Sequence, residues 1–327
     1  MPTVSMRDVA THAGVSTATV SHVINNTRYV AEETRQRVLD AVKALNYNPN
    51  AMARILRTGR KGIIGFLIPD ISNPFYSELI EEVETVFFEQ GYRLLLSNSH
   101  EDADRELENM RVMSSGIVDG VLVASSLKDC NELNGIVPEG LPMVFLDQVV
   151  PNCSCDIVRV NTYHAVAEAT EELIRNGHTR IACFRNSTYL FTAVERFNAY
   201  QEVMCRHNLK TEAIPFPAPL VDFSPFLEQA LSNGITALVT TNGRTANASV
   251  EYLYKRGMVL GKDIDLVVFQ DEKMPHFFYP QVSIVRQPVQ ELGQAAARQL
   301  LWRINHPDQP AREILLQASY YPKSCGA

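Results

Sequence analysis

The apolar positions of this chain follow two rhythms. From Gly62 onward, short continuous runs alternate with stretches of helical period: Ile63 to Ile68 precedes Glu78 to Gln90, and Arg93 to Leu96 precedes Asp104 to Ser115. Val121 to Ala124, Met143 to Leu146, Ile181 to Phe184, Ala237 to Thr240 and Leu266 to Phe269 continue the series, with helical stretches of about 12 to 17 residues between the later ones. Strand-then-helix alternation predicts an α/β region built as two doubly wound parallel sheets. Before Gly62 the pattern is helical throughout. Val9, Ala10, Ala13 and Val15 share one face and Val20, Val23 and Ile24 another, on either side of Gly14. Ser5 with Asp8 three residues on forms a capping box, Gly14 supplies a left-handed stop, and Ser16 can cap the second helix. A third helix is predicted from Glu32 to Leu45, with Val38, Leu39, Val42 and Leu45 at helical spacing.

Two short helices joined by a glycine turn and closed by a third make a helix-turn-helix head. On the second helix Thr17, Ala18, Ser21, His22 and Asn25 share a face with no apolar role, which suits a major groove, and Ser16 and Thr19 stand beside it as further DNA contacts. Pro49 breaks the third helix, and Asn50 can cap another of about eight residues that carries Arg54, Leu56 and Arg57. Helices shorter than about 12 residues are marginal in water, so this one needs a partner to form. Charge follows the same division. Residues 1–61 hold nine Lys/Arg against four Asp/Glu, a net +5 in a chain of −7, which leaves −12 for the remainder. Phosphate contact therefore belongs to the first part, with Arg54 and Arg57 foremost.

No apolar run reaches the roughly 18 residues of a membrane span, and the start does not read as a signal peptide, so a cytoplasmic protein is expected. The six cysteines lack a framework spacing and are expected as free thiols; Cys153 and Cys155 have no second pair or nearby His to complete a metal site, so neither metal nor cofactor is expected. Glycine-rich dinucleotide loop, phosphate loop and nucleophile elbow are all missing from the sequence, which argues against an enzyme. The polar, glycine-bearing stretch Arg57 to Gly62 marks a linker. Ligands of open α/β sheets bind at the carboxyl ends of strands, which makes Asp70 to Tyr76, Asp147, Arg185 to Thr192, Asn242 to Arg244, and Gln270 to Asp271 candidates.

Along its whole length the chain resembles the LacI/GalR family of bacterial transcription regulators, with the purine and ribose repressors nearest. The resemblance is carried by Val4 to Asn26, Val30-Ala-Glu-Glu-Thr-Arg35, Leu45-Asn-Tyr-Asn-Pro-Asn-Ala-Met-Ala-Arg54, Ile68-Pro-Asp-Ile-Ser-Asn-Pro-Phe-Tyr76, Val118-Asp-Gly-Val121, Asn176-Gly-His-Thr-Arg-Ile-Ala182 and Arg286-Gln-Pro288. It implies a helix-turn-helix domain at 1–48, a hinge helix and linker at 49–61, and an effector-binding and dimerisation domain at 62–327. The subdomains of the last would be approximately 62–160 with 288–318 and 161–287 with 319–327, of periplasmic-binding-protein type. The implied protein is a homodimeric repressor on palindromic double-stranded operator DNA, under allosteric control by a small molecule in the cleft and without a membrane partner. Residues matching Thr17, Ala18 and His22 would touch base edges, and Leu56 would wedge into the minor groove. In the cleft, Asn73, Phe75 and Tyr76 would form one wall, Asp147, Thr192 and Asn242 would meet hydroxyl or amide groups, and Arg196 would supply charge.

Three departures from the family pattern redirect the expected ligand. Gln270 stands where an aspartate is usual, Asn242-Gly-Arg-Thr245 brings in Arg244 where Asn-Asp-x-Met is usual, and Phe184-Arg-Asn-Ser187 replaces a glycine-rich segment. A less acidic, more basic cleft predicts an anionic effector such as a sugar acid or sugar phosphate. A neutral sugar or a nucleobase is the alternative effector; a solute-binding protein without a regulatory role is the alternative function, disfavoured by the head.

Overall fold

The structure is a computed structural model that describes residues 4–25, 27–47, 59–186, 190–216, 222–270 and 281–323. Arg54, Leu56, Arg57 and Asp271 lie outside the described residues. Contacts within the chain separate two units, Met1–Lys61 and Gly62–Ala327.

In the first unit, α1 (Met6–Ala13), α2 (Thr17–Asn25) and α3 (Glu32–Ala44) enclose Val9, Val20 and Val38, all without solvent exposure. The capping box is closed, with the Ser5 N–H donating to Asp8 Oδ2 at 2.8 Å and the Asp8 N–H donating to Ser5 Oγ. Gly14 takes φ 62°, where a side chain is strained, and its N–H closes the helix end onto Ala10 and Thr11. Ser16 Oγ accepts from the Thr19 N–H at 3.1 Å and so starts α2. Beyond α3 the chain doubles back: the Tyr47 N–H donates to the Val42 carbonyl and the ring enters the core, a member that helical periodicity could not predict.

The second unit runs β1 (Ile63–Ile68), α4 (Pro74–Glu89), β2 (Arg93–Asn98), α5 (Ala103–Ser114), β3 (Gly120–Val123), a 3-10 turn (Cys130–Leu133), β4 (Met143–Leu146) and β5 (Asp156–Asn161). It continues through α6 (Tyr163–Arg175), β6 (Ile181–Asn186), α7 (Phe191–Arg206), β7 (Glu212–Phe216), α8 (Ser224–Ser232), β8 (Ala237–Val239), α9 (Gly243–Lys255) and β9 (Asp265–Phe269). Last come β10 (Ser283–Arg286), α10 (Val289–Asn305), β11 (Glu313–Gln317) and β12 (Ser319–Tyr321). One sheet has the order β11-β5-β4-β3-β1-β2 and the other β12-β10-β9-β8-β6-β7. The pairings are parallel except for β12, which lies antiparallel to β10. The chain crosses between sheets after Asn161, at Gln287 and Pro288, and at Ala318. Among the described residues, no helix is long and apolar enough to cross a membrane.

The first sheet is clamped at its edge by a buried charge. Asp156, fully buried at the start of β5, accepts from Arg303 Nε at 2.9 Å and Nη2 at 2.7 Å, from Gln299 at 2.8 Å and from the Arg312 N–H at 2.8 Å. Burial pushes its carboxyl upward, but Arg303, Gln299 and the Arg312 amide prevail and hold it below the usual range. The rest of the Arg303 guanidinium donates to the carbonyls of His306, Pro307, Gln309 and Pro310, fixing the route from α10 into β11. Removing one member of a buried pair leaves the other uncompensated. Asp156→Ala is therefore expected to lower the unfolding free energy of the second unit by about 3–5 kcal/mol, read by urea denaturation at neutral pH.

Candidate functional site

The carboxyl ends of both sheets face each other across a cleft, and loops from each line it. Pro69, Asn73, Phe75 and Tyr76 follow β1, Glu101 follows β2, Ser125 and Ser126 follow β3, and Asp147 and Gln148 follow β4. From the other side come Leu190, Thr192 and Arg196 of α7 and its approach, Thr241, Asn242 and Arg244 after β8, and Gln287 at the second crossing. The space they enclose is a cavity of about 70 Å³. A larger cavity of about 490 Å³ adjoins it, lined by Phe75, Ala246, Val250, Tyr254 and Phe269. The smaller is the candidate site, because charged and hydrogen-bonding groups converge there while the larger is chiefly apolar.

Sequence local to each loop explains how the lining is held. Asn73 caps α4, its Oδ1 accepting the Phe75 N–H at 3.2 Å, with Pro74 in the first turn where a missing N–H costs nothing. That cap sets Phe75 and Tyr76 edge to face at 5.0 Å, both buried. Asn242 caps α9 in the same way, its side chain accepting from the Thr245 N–H at 2.8 Å. Asp147 takes φ 65°, a left-handed turn directly after β4 that Asp tolerates better than most residues. Burial, and then the nearby carboxylates of Asp147 and Glu101, push the Tyr76 hydroxyl well above its usual pKa, so it stays neutral.

Arg196 is buried, and each nitrogen of its guanidinium has a partner. Nε donates to Thr162 Oγ1 at 3.4 Å, Nη1 to the Thr241 carbonyl at 2.7 Å and Nη2 to Gln287 Oε1 at 3.0 Å, while the plane lies 4.3 Å from the Phe269 ring centre. Glu195 beside it accepts from the Thr162 N–H and hydroxyl at 2.8 and 2.9 Å. Gln148 and Arg244 each reach across the cleft. Gln148 Nε2 donates to Thr192 Oγ1 at 2.8 Å, and Arg244 Nη2 donates to Asp70 Oδ2 at 2.5 Å and to Glu101 Oε1 at 2.7 Å. Although burial opposes it, Ser72 and Arg244 hold the Asp70 carboxyl below its usual range.

These contacts revise the expected charge. Arg244 does line the cleft, but Asp70 and Glu101 hold it, and the acids of the lining, Glu101 and Asp147, match its two arginines in number. The cleft is not the basic pocket that Arg244 suggested. Gln270 lies apart from the other predicted residues, on the adjoining apolar cavity, whereas Asn73 and Phe75 border both. Gln148, Thr241, Gln287, Ser125 and Ser126 were not singled out from the sequence. Gln148 follows Asp147 at a strand end and Gln287 sits in the Arg286-Gln-Pro288 segment, so position alone offered a signal for both. His178 is structural: its ring meets Asp265 and Thr236, each at 2.9 Å.

Beneath the cleft floor lies Glu106, fully buried on α5, which accepts from the Ser125 hydroxyl and from the Ser126 N–H at 2.7 Å. In the first unit, Thr17 and Ala18 are exposed on α2 and His22 is half-buried, its Nδ1 held by Thr27 Oγ1 at 2.9 Å. Asn25 turns back to the Ser21 carbonyl at 2.7 Å.

Residues 61–325 match the model for periplasmic binding proteins and the sugar-binding domain of the LacI family, and residues 5–50 match that for bacterial regulatory proteins of the lacI family. The chain belongs to the LacI family. It is a DNA-binding repressor with a helix-turn-helix region and an effector-binding domain. Similar proteins include the ribose operon repressor of Bacillus subtilis, 32% identical with 96% of this chain and 95% of the relative covered, and that of Escherichia coli K12, at 34% with 95% and 96% covered. The repressor PurR of Aliivibrio fischeri is 32% identical, covering 98% of this chain and 97% of its own. Among solved structures, the lac repressor dimer bound to operator and the anti-inducer ONPF shares this LacI-family fold with a TM-score of 0.82 over the whole of both chains, at 22% identity.

Burial raises the Glu106 carboxyl to about 7 against an ordinary 4.5, outweighing its hydrogen bonds. Its contribution to stability is thus full below pH 4.5 and is lost as pH rises through 7. Parent protein should lose on the order of 3 kcal/mol relative to Glu106→Gln between pH 4.5 and 8, measured by denaturant unfolding of both at each pH.

Proposed function

We propose that this repressor is a homodimer whose paired α2 helices read a palindromic operator and whose cleft takes a neutral, polyhydroxylated effector of pentose size. The observation that carries the effector class is the pairing of Arg244 with Asp70 and Glu101. Both carboxylates bond Arg244 Nη2, so an anionic ligand that reached that guanidinium would sit beside two negative charges. Sugar hydroxyls instead donate to carboxylates and accept from amides and guanidinium groups, and the cleft offers both kinds of partner in Asp147, Gln148, Asn242 and Arg196, with Phe75 and Tyr76 as an apolar wall. The similarity to ribose operon repressors agrees with this chemistry.

On α2, Thr17, Ala18 and His22 meet base edges, with His22 oriented by Thr27, while Ser16, Thr19, Ser21 and Asn25 support or flank that face. The hinge segment carrying Arg54, Leu56 and Arg57 forms its short helix against that of the second protomer, and Leu56 opens the minor groove at the operator centre. Effector binding shifts the relative disposition of the two sheets and so the pairing of the hinge segments. A coupling of about 1–3 kcal/mol is enough for such a marginal helix.

Thermal-shift measurements on the full chain with ribose, ribose 5-phosphate, ribonic acid and guanine separate the ligand classes. Ribose at a hundredfold excess over its dissociation constant should raise the midpoint by roughly 5–10 °C. Stabilisation by the phosphate or the acid without ribose would restore the anionic reading, and stabilisation by guanine alone would point to a nucleobase. Leu56→Ala is expected to weaken specific operator binding at least tenfold in a gel-shift titration while leaving the ligand-induced shift unchanged; undiminished operator affinity would refute the wedge role.

A further inference from the structure

Three thiols from two separate loops meet over one face of the first sheet. Cys130 opens the 3-10 turn after β3, and Cys153 and Cys155 lie just before β5. All three pack against one apolar cluster, and the thiols of Cys130 and Cys155 are the neighbours that act most on Cys153. Backbone and side-chain contacts fix the two loops against each other. The Cys130 N–H donates to the Pro151 carbonyl at 2.9 Å, and Asn152 Nδ2 donates to Asp129 Oδ2 at 2.7 Å. All three thiols are free and partly exposed, packed over Leu133, Met143 and Phe145. Cys183 is buried and Cys205 stands exposed on α7, in the other subdomain.

We propose that Cys130 and Cys153 are a redox pair that closes into a reversible disulfide when the protein meets a peroxide. Cys153 is the thiol that reacts first. Its hydrogen bonds from Cys130 and then Cys155 lower its pKa, while the same bonds raise those of its neighbours, which places the thiolate on Cys153. The Cys153 thiolate attacks one peroxide oxygen, the O–O bond breaks, and the departing hydroxide takes a proton to become water. The Cys130 sulfur, deprotonated, then attacks the sulfenic sulfur, forming the S–S bond and expelling the second oxygen as water. Two thiols are oxidised by two electrons in total and one peroxide is reduced to two waters.

The bond would join two loops whose near ends line the cleft: Ser125 and Ser126 on the first, Asp147 and Gln148 on the second. Oxidation therefore fixes the far ends of two cleft loops without touching the ligand-facing side chains.

The test treats the full-length protein with a small excess of hydrogen peroxide, then counts free thiols and maps linked peptides without reduction. Cleavage after Glu132 and Glu139 separates Cys130 from Cys153 and Cys155, so a link between the two regions appears as a joined peptide pair. The expected result is loss of two thiols, a joined pair lighter by two hydrogens, and full recovery with dithiothreitol. Cys153→Ser and Cys130→Ser should each abolish the joined pair, and Cys155→Ser and Cys205→Ser should retain it. The proposal is overturned if the parent protein takes up oxygen at its cysteines with no joined pair, if the link persists in Cys153→Ser, or if it is lost in Cys155→Ser. Each serine variant must first match the parent protein in circular dichroism and thermal midpoint, so that a misfolded variant does not decide the outcome.

Discussion

The guanidinium of Arg196 is the point on which the two-sheet body depends. A planar group with donors in fixed directions holds three separate segments at once: Thr162 just after the first crossing between sheets, Gln287 at the second, and the Thr241 carbonyl in the loop after β8. Burying such a charge is costly unless it is hydrogen-bonded, and here three bonds and the Phe269 face offset that cost. Glu195, the adjacent residue, takes the Thr162 N–H, so one turn of α7 secures the first crossing from two directions. Arg196 thus serves the architecture and borders the cleft at the same time. A ligand group that hydrogen-bonds to it also touches the segments about which the subdomains move.

The electrostatics of the cleft follow from the same economy of partners. Asp70 and Glu101 come from the first sheet and Arg244 from the second, so their ion pair draws the facing loops together while removing the charge that Arg244 alone would present. Charged groups at partial burial attract one another more strongly than they do in water, and the Gln148–Thr192 bond and the Phe75–Tyr76 pair belong to the same cleft lining. Recognition in such a place rests on the directions of hydrogen bonds more than on net charge.

Much of this was legible along the chain. Most strands inside the sheets, such as β3, β4 and β8, are unbroken apolar runs because helices cover both faces, and those runs name their own positions. β5, β7, β10, β11 and β12 escaped notice for separate reasons: Arg159 interrupts the apolar run of β5, Pro215 that of β7, and β10, β11 and β12 carry apolar runs of only two or three residues between polar ones. Strand ends located Asp147, Thr192 and Asn242 in the cleft, because topology places ligand loops there. The partners of Arg244 lie 174 and 143 residues away, and no local pattern encodes a distance of that kind. The convergence of Cys130 with Cys153 was hidden for the same reason, since it arises from β3 and β4 lying side by side.

Ala318 is a single residue between a strand of one sheet and a strand of the other, its N–H held by the Asn161 carbonyl at 3.0 Å at the first crossing. Two rigid bodies joined by long tethers could slide, tilt and twist independently. Joined at three places so short that one of them has a single residue of slack, they keep close to one freedom, a rotation whose axis must pass near the joints. Any molecule seated in the cleft then acts on an angle alone, and different ligands that bring the same loops together arrive at the same geometry.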